Sequence, residues 1–254
     1  MLREAAARRP LAPQKRIKVG MATHGKRYKE AVKLVDSKKQ YRIGEAVETL
    51  KKMPKTKFDE SVELAFKLGV DPKQSDQMVR GTVALPHGSG KKVRVAVFAK
   101  GAAAQAAKDA GADFVGFEDL VKKCQDGWTD FDVAVATPEA MQEVRKLGKV
   151  LGPKGLMPNP KTGTVADDTA KAVKEVKAGR VEFKMDKAGN LHVAFGKLSF
   201  EPKAIEENAK AVIVAVLHAK PTTSKGHFIQ SCTLASTMSP GLRVDTHEFT
   251  PSMS

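Results

Sequence analysis

The sequence predicts an α+β domain that is interrupted by an inserted α/β domain. Three observations carry this reading. Residues 57–69, KFDESVELAFKLG, alternate polar and apolar side chains with period two, the pattern of a strand buried on one face only. Residues 93–99, VRVAVFA, are close to continuously aliphatic, as strands buried on both faces are. Strand and helix patterns then alternate with short links to about residue 177, the grammar of βαβ units around a parallel sheet. After Ala178-Gly179 the one-sided strands return, with one long helix among them. The crossings, Pro86-His87-Gly88-Ser89-Gly90 and Ala178-Gly179, both contain glycine, which suits a hinge that absorbs φ/ψ change. The expected division is a split domain of 21–87 plus 179–254, an insert of 88–178, and a disordered basic extension at 1–20.

The elements follow in order. Residues 1–20 carry six basic side chains and one acidic; Pro10 and Pro13 interrupt any helical stripe, and the absence of serine argues against an organelle transit peptide. Residues 26–35 place Tyr28, Ala31, Val32 and Val35 on one helical face. Residues 44–53 do the same with Ala46, Val47, Leu50 and Met53, and Pro54 ends that helix. In the strand that follows, Phe58, Val62, Leu64, Phe66 and Leu68 share the parity expected to face the core, while Lys57, Asp59, Ser61, Glu63 and Lys67 share the other. Residues 79–86 are a further strand. Within the insert, strands are expected at 93–99, 112–117 and 131–136, and helices from Ala102, over 118–125 and over 138–148. Residues 151–165, LGPKGLMPNPKTGTV, hold three glycines and three prolines and read as a loop. A helix over 167–177 opens on Asp167 or Asp168 as its cap. Residues 180–186 and 190–200 read as a hairpin about Lys187-Ala188-Gly189-Asn190. Pro202 opens a long helix with Ile205, Ala209, Val212, Ile213 and Val216 inward, and strands follow at 226–238 and 241–245.

Composition narrows the function. Lys and Arg number 44 against 29 Asp and Glu, a net charge of +15, and nucleic acid is the commonest anion to answer such an excess. Cys124 and Cys232 lie far apart, which excludes a disulfide scaffold and a Cys-based zinc site. No run of 18 apolar residues exists to span a membrane. The stretch HGSGKK (87–92) lacks both the leading glycine and the trailing Ser or Thr of a phosphate loop, and no GxGxxG follows a strand. His24, His87, His192, His218, His227 and His247 are scattered without metal-ligand spacing, and no GxSxG occurs. Trp128, near a helix end, reads as a packing residue. No catalytic residue, metal or cofactor is therefore expected, and the chain does not read as an enzyme or a membrane protein.

Three surfaces remain as candidates. The loop 151–165 presents Lys154 and Lys161 with Asn159 between them, either as a rigid basic surface toward phosphate or as a structural brace. The strand face with Lys57, Ser61 and Glu63 is the second. The third is 229–238, IQSCTLASTM, whose alternate positions Ile229, Ser231, Thr233, Ala235 and Thr237 are small and uncharged. That face either packs on the helix at 202–218 or permits close approach of RNA, whose wide minor groove offers 2′-hydroxyls to shape readers.

Long stretches of the chain then carry a family resemblance: HGKRY (24–28), KFDESVE (57–63), KLGVDPKQSDQMVRGTVALPHGSGK (67–91), GADFVG (111–116), DGWTDFDVAVATP (126–138), LGPKGLMPNPKTGTV (151–165), KAGRVEF (177–183) and STMSPG (236–241). Over residues 21–245 the sequence resembles the large-subunit ribosomal protein L-one family in its bacterial form. The resemblance implies a Rossmann-like insert within a split α+β domain. It implies a place in the 50S subunit of the cytoplasmic ribosome, where the split domain binds a stem of large-subunit ribosomal RNA to form a mobile stalk near the tRNA exit site. It further implies help in releasing deacylated tRNA, and translational repression through binding the protein's own operon mRNA. The family's RNA face falls on Lys57, Phe58, Ser61 and Glu63 of one strand, and on Ser231, Thr237, Met238 and the turn Ser239-Pro240-Gly241. Lys26 and Arg27 join Lys57 as expected sources of attraction to phosphate. Two departures stand out: Ser61 where the family mostly has Thr, and Ser239 where it mostly has Gly. The second is costly if the position needs a positive φ or close backbone approach.

Overall fold

The computed structural model describes residues 24–36, 38–224, 226–246 and 249; the extension expected at 1–20 lies outside them. The chain runs through α1 (Lys26–Lys33), α2 (Ile43–Lys52), β1 (Ser61–Leu68), β2 (Arg80–Ala84), β3 (Val95–Phe98), α3 (Gly101–Asp109), β4 (Phe114–Gly116) and α4 (Glu118–Gln125). It continues through β5 (Val133–Ala136), α5 (Met141–Val144), α6 (Gly148–Leu151), α7 (Thr169–Lys177), β6 (Arg180–Lys184), β7 (Asn190–Lys197), α8 (Pro202–His218), β8 (Ile229–Ser236) and β9 (Leu242–Val244).

The central sheet is antiparallel and has the order β7-β1-β8-β9. Period-two alternation in β1 does what it predicts: Val62, Leu64, Phe66 and Leu68 are buried and the residues between them are not. Their side of the sheet is joined by Leu191, Val193 and Phe195 of β7 and by Cys232 and Leu234 of β8. Helices α2 and α8 cover it with Ala46, Val47 and Leu50, and with Ile205, Ala209, Val212, Ile213 and Val216. Burial pushes the Cys232 thiol up to about 12, so it acts as a small apolar group.

Within 88–178 the sheet is parallel, in the order β4-β3-β5. The continuous aliphatic run is explained by its two covered faces. Val95 and Val97 pack with Ala107, Val173 and Val176 toward α3 and α7, and Ala96 and Phe98 pack with Leu120, Val121, Val144 and Leu147 on the other side. Trp128 packs edge-on to Phe114 at 4.9 Å between ring centres. Asp168 caps α7, its carboxylate accepting from the Lys171 N–H at 3.0 Å.

Four local expectations change. Val32 is 43% exposed, so the apolar face of α1 narrows to Ala31 with Val35 beyond its end. The helix expected over 138–148 is broken into α5, a 3₁₀ turn at Arg145–Leu147 and α6, which begins on the poor helix former Gly148. The turn at 187–190 is present, with the Asp186 carboxylate accepting from the N–H groups of Ala188 and Asn190 at 2.8 and 2.7 Å. The strands it joins are not a paired hairpin, however. They share one bridge, Met185 to Leu191; β6 pairs with β2 and β7 with β1. Phe58 has core parity but precedes β1 and is 55% exposed; burial at that parity begins at Glu60, one residue ahead of the strand.

The two glycine-containing crossings meet. Gly179 has φ +106°, and a Cβ there would lie 2.5 Å from Gly88 Cα. Fully buried Asn208 of α8 fixes the first crossing, donating to Gly88 O at 3.0 Å and Phe195 O at 2.9 Å and accepting from the His87 N–H at 3.1 Å.

Candidate nucleic-acid interface

The residues of KFDESVE and STMSPG come together at one end of β1 and β8. Thr237 extends the pairing past β8: its N–H donates to Ser61 O at 3.1 Å, and its hydroxyl accepts from the Ser61 N–H at 3.0 Å. The Ser61 hydroxyl accepts from Lys197 Nζ at 2.8 Å. Met238 presents its side chain outward, 49% exposed, beside this register. Lys57 and Phe58 lie in the segment before β1 rather than on the strand, and both are exposed. Lys26, on the first turn of α1, is exposed as well.

Ser239 is accommodated without backbone strain, because among the described residues only glycines have positive φ. Its hydroxyl accepts from the Ser236 N–H at 2.8 Å and donates to Pro240 O at 3.0 Å, closing the turn. The tight position is Gly241 instead, where a Cβ would stand 2.7 Å from Thr233 Cγ2.

Sequence reasoning missed Glu60. It lies immediately before β1, is 2% exposed, and its carboxylate accepts from the Ser236 hydroxyl and from the Met238 N–H at 3.1 Å. Burial alone would raise this carboxyl. The Ser236 hydroxyl, the Met238 N–H, Thr56 and the Arg27 guanidinium outweigh it and hold the group below the ordinary glutamate range. A signal was available: a charged residue at core parity needs partners. Arg27 is the nearest cation, with Nη1 3.6 Å from the carboxylate, and it also donates to Pro54 O at 3.2 Å and Met238 O at 3.0 Å.

The alternate face of 229–238 does not pack on α8. Cys232, Leu234 and Ser236 point inward, while Ser231, Thr233, Ala235 and Thr237 are exposed or half-buried on the opposite side. Ile229 is the exception, buried after a register shift at Lys67/Leu68. Directly across from these residues lie Glu63, Ala65 and Lys67 of β1; Ala194 and His192 of β7 stand opposite the first two in turn, and Arg243 of β9 stands opposite Thr233. The face away from the helices is therefore built largely from small side chains, with Glu63, Lys67, His192 and Arg243 as its larger polar members.

The loop 151–165 stands apart from this cluster. The backbone N–H of Asn159 donates to Thr164 Oγ1 at 2.8 Å and its carbonyl accepts from Thr162 Oγ1 at 3.0 Å, so the residue organises the loop itself. The short 3₁₀ turn Pro160–Thr162 packs against β2, and Gly163 leaves room for the Arg180 guanidinium. Lys154 is exposed and bonds Thr129, while the Lys161 side chain lies outside the described residues. Among the described residues no three His, Cys, Asp or Glu side chains gather as a metal site, and no helix is long and apolar enough to cross a membrane. The model of the ribosomal protein L1p/L10e family matches residues 50–240, well over half of the chain.

Proposed function

Since the chain belongs to the ribosomal protein L1p/L10e family, whose members are structural, rRNA-binding proteins of the large ribosomal subunit on cytoplasmic ribosomes rather than enzymes, we propose that it grips a folded stem of large-subunit rRNA with the uncovered sheet face and the strand-end turn. One observation carries this: a sheet face with Ala65, Thr233, Ala194 and Ala235 on it leads into a turn held by the Thr237 N–H on Ser61 O, the Met238 N–H on Glu60 and the Ser239 N–H on Ser236 O. The small side chains admit another backbone closely, and Glu63 beside Ala194 and Ala235 and Lys67 opposite Ser231 are the charged points of the same face.

The roles divide by range. Lys26, Lys57 and the rest of the basic excess attract phosphate and make affinity salt-dependent. Ser61, Glu63, Ser231 and Thr237 meet 2′-hydroxyls and base edges of a preformed RNA shape, while Phe58 and Met238 cover sugar or base. Gly241 and Ser239 set the path of the turn. The loop at Lys154, Asn159 and Lys161 is a secondary RNA-facing surface at most, since part of it braces β2. All the strand-end contacts belong to 21–87 and 179–254, which we take as one RNA-binding unit with 88–178 inserted. A reader of shape also accepts a like-folded stem in its own messenger, which supports translational repression. A stem-bound protein with a hinged insert supports a stalk that helps deacylated tRNA leave.

The test is a titration with stem fragments of large-subunit rRNA against a shuffled-sequence RNA of equal length at fixed salt. The cognate stem should bind at least about a thousandfold tighter, the lower end of the usual range between specific and non-specific binding. Equal affinities would reduce the protein to a general polycation.

A further inference from the structure

Met238 is held by both of its backbone polar groups. Its N–H donates to the Glu60 carboxylate at 3.1 Å, and its carbonyl accepts from Arg27 Nη2 at 3.0 Å. The same guanidinium reaches Pro54 O at 3.2 Å and stands 3.6 Å from Glu60. One ion pair thus ties together α1, the segment before β1 and the turn after β8. Glu60 is buried, and the Arg27 side chain is 29% exposed. From this geometry we propose that Glu60 and Arg27 are positioning residues: they lock the 236–241 turn into its RNA-binding shape before RNA arrives, and Arg27 serves by this pairing rather than by contacting phosphate. The inference rests on the reading that this turn binds RNA.

The physical reasoning is preorganisation. An exposed turn that had to order on binding would lose affinity to conformational entropy, and fixing it beforehand removes that loss. A cation already facing a buried carboxylate, with donors on two carbonyls, has little left to offer a phosphate. Its charge is cancelled locally, so its removal releases no additional counterion.

Two variants test this in the full chain, Glu60→Ala and Arg27→Gln; the second, on a partly exposed helix, does not leave a buried void. In the free protein, amide hydrogen exchange at Met238 should accelerate at least about tenfold in both, while the amides of β1 keep their protection. Affinity for the rRNA stem should fall on the order of tenfold with the shuffled RNA unaffected, a change in ratio that a smaller folded fraction would not produce. The slope of log K against log salt should not change for Arg27→Gln; a decrease of about 0.7–0.9 would make Arg27 a phosphate contact and overturn the proposal. Equal losses for both RNAs would reveal a folding role only, and unchanged Met238 exchange would show that the turn does not depend on the pair. If the unmodified protein does not prefer the stem, the functional reading fails, and the exchange data still decide the positioning claim.

Discussion

At the scale of single residues, Glu60 couples the turn at 236–241 to pH. Its carboxyl is held below the ordinary glutamate range despite its burial, by Ser236, Met238, Thr56 and Arg27. A carboxyl whose folded value is depressed contributes stability that is fully present above the unfolded value and is lost as pH falls through the folded one. Thermal melting of the wild type between about pH 6 and about pH 3, the span in which glutamates titrate, should therefore fall more steeply than melting of Glu60→Gln. Parallel curves would mean that the carboxylate is not engaged as described. This residue also marks how far the sequence could be read. Thr237, Met238 and Gly241 were legible from the family motif. Glu60 sat inside the same motif, but its partners Ser236 and Arg27 lie 176 residues ahead and on helix α1, and no local pattern reports them. Ser239 looked costly only while a positive φ was conceivable there; the structure gives it two hydrogen bonds instead.

At the scale of elements, period two identified β1, and helical spacing identified the inward faces of α2 and α8. Periodicity says which residues share a face and is silent on what lies against that face. For this reason the small-residue face of β8 stayed ambiguous, and the strands flanking Asp186 were read as each other's partners although β6 pairs with β2. Phe58 shows the same limit, since parity persists beyond the point where a strand has neighbours. With the face now seen to be uncovered, its smallness becomes testable. Ala65, half-buried between His192 and Thr233, should tolerate leucine in the free protein, because among the described residues nothing from the helices packs on that side. Ala65→Leu leaves charge untouched but raises the floor of the face. Stem affinity should fall at least about tenfold, equivalent to roughly 1.4 kcal/mol, with an unchanged melting temperature. Retained affinity would show that the RNA does not lie across β1.

For the whole molecule, the net charge of +15 invites the conclusion that RNA binding is spread over the entire surface. Counting along the sequence argues otherwise: 88–178 carries 15 basic and 12 acidic side chains, and several of the former are paired within that segment, as Lys91 and Arg94 are with Asp132. The apolar core of β1, β7, β8, α2 and α8 is built without residues of that segment, whose own two clusters flank β3 and β5. The crossings pass so close that Gly88 and Gly179 nearly touch, so a short glycine link can replace 89–178 without stretching either end. Arg180 would lose Glu175 and the contact at Gly163, but it keeps Thr82 at 3.0 Å, and surface pairs of this kind contribute about 0–1 kcal/mol. The deletion variant should therefore fold cooperatively and bind the rRNA stem within about threefold of the intact chain, less than 1 kcal/mol. A folded deletion variant that no longer prefers the stem over shuffled RNA would move part of the specificity into the insert, and the loop around Lys154 would be the first place to look for it.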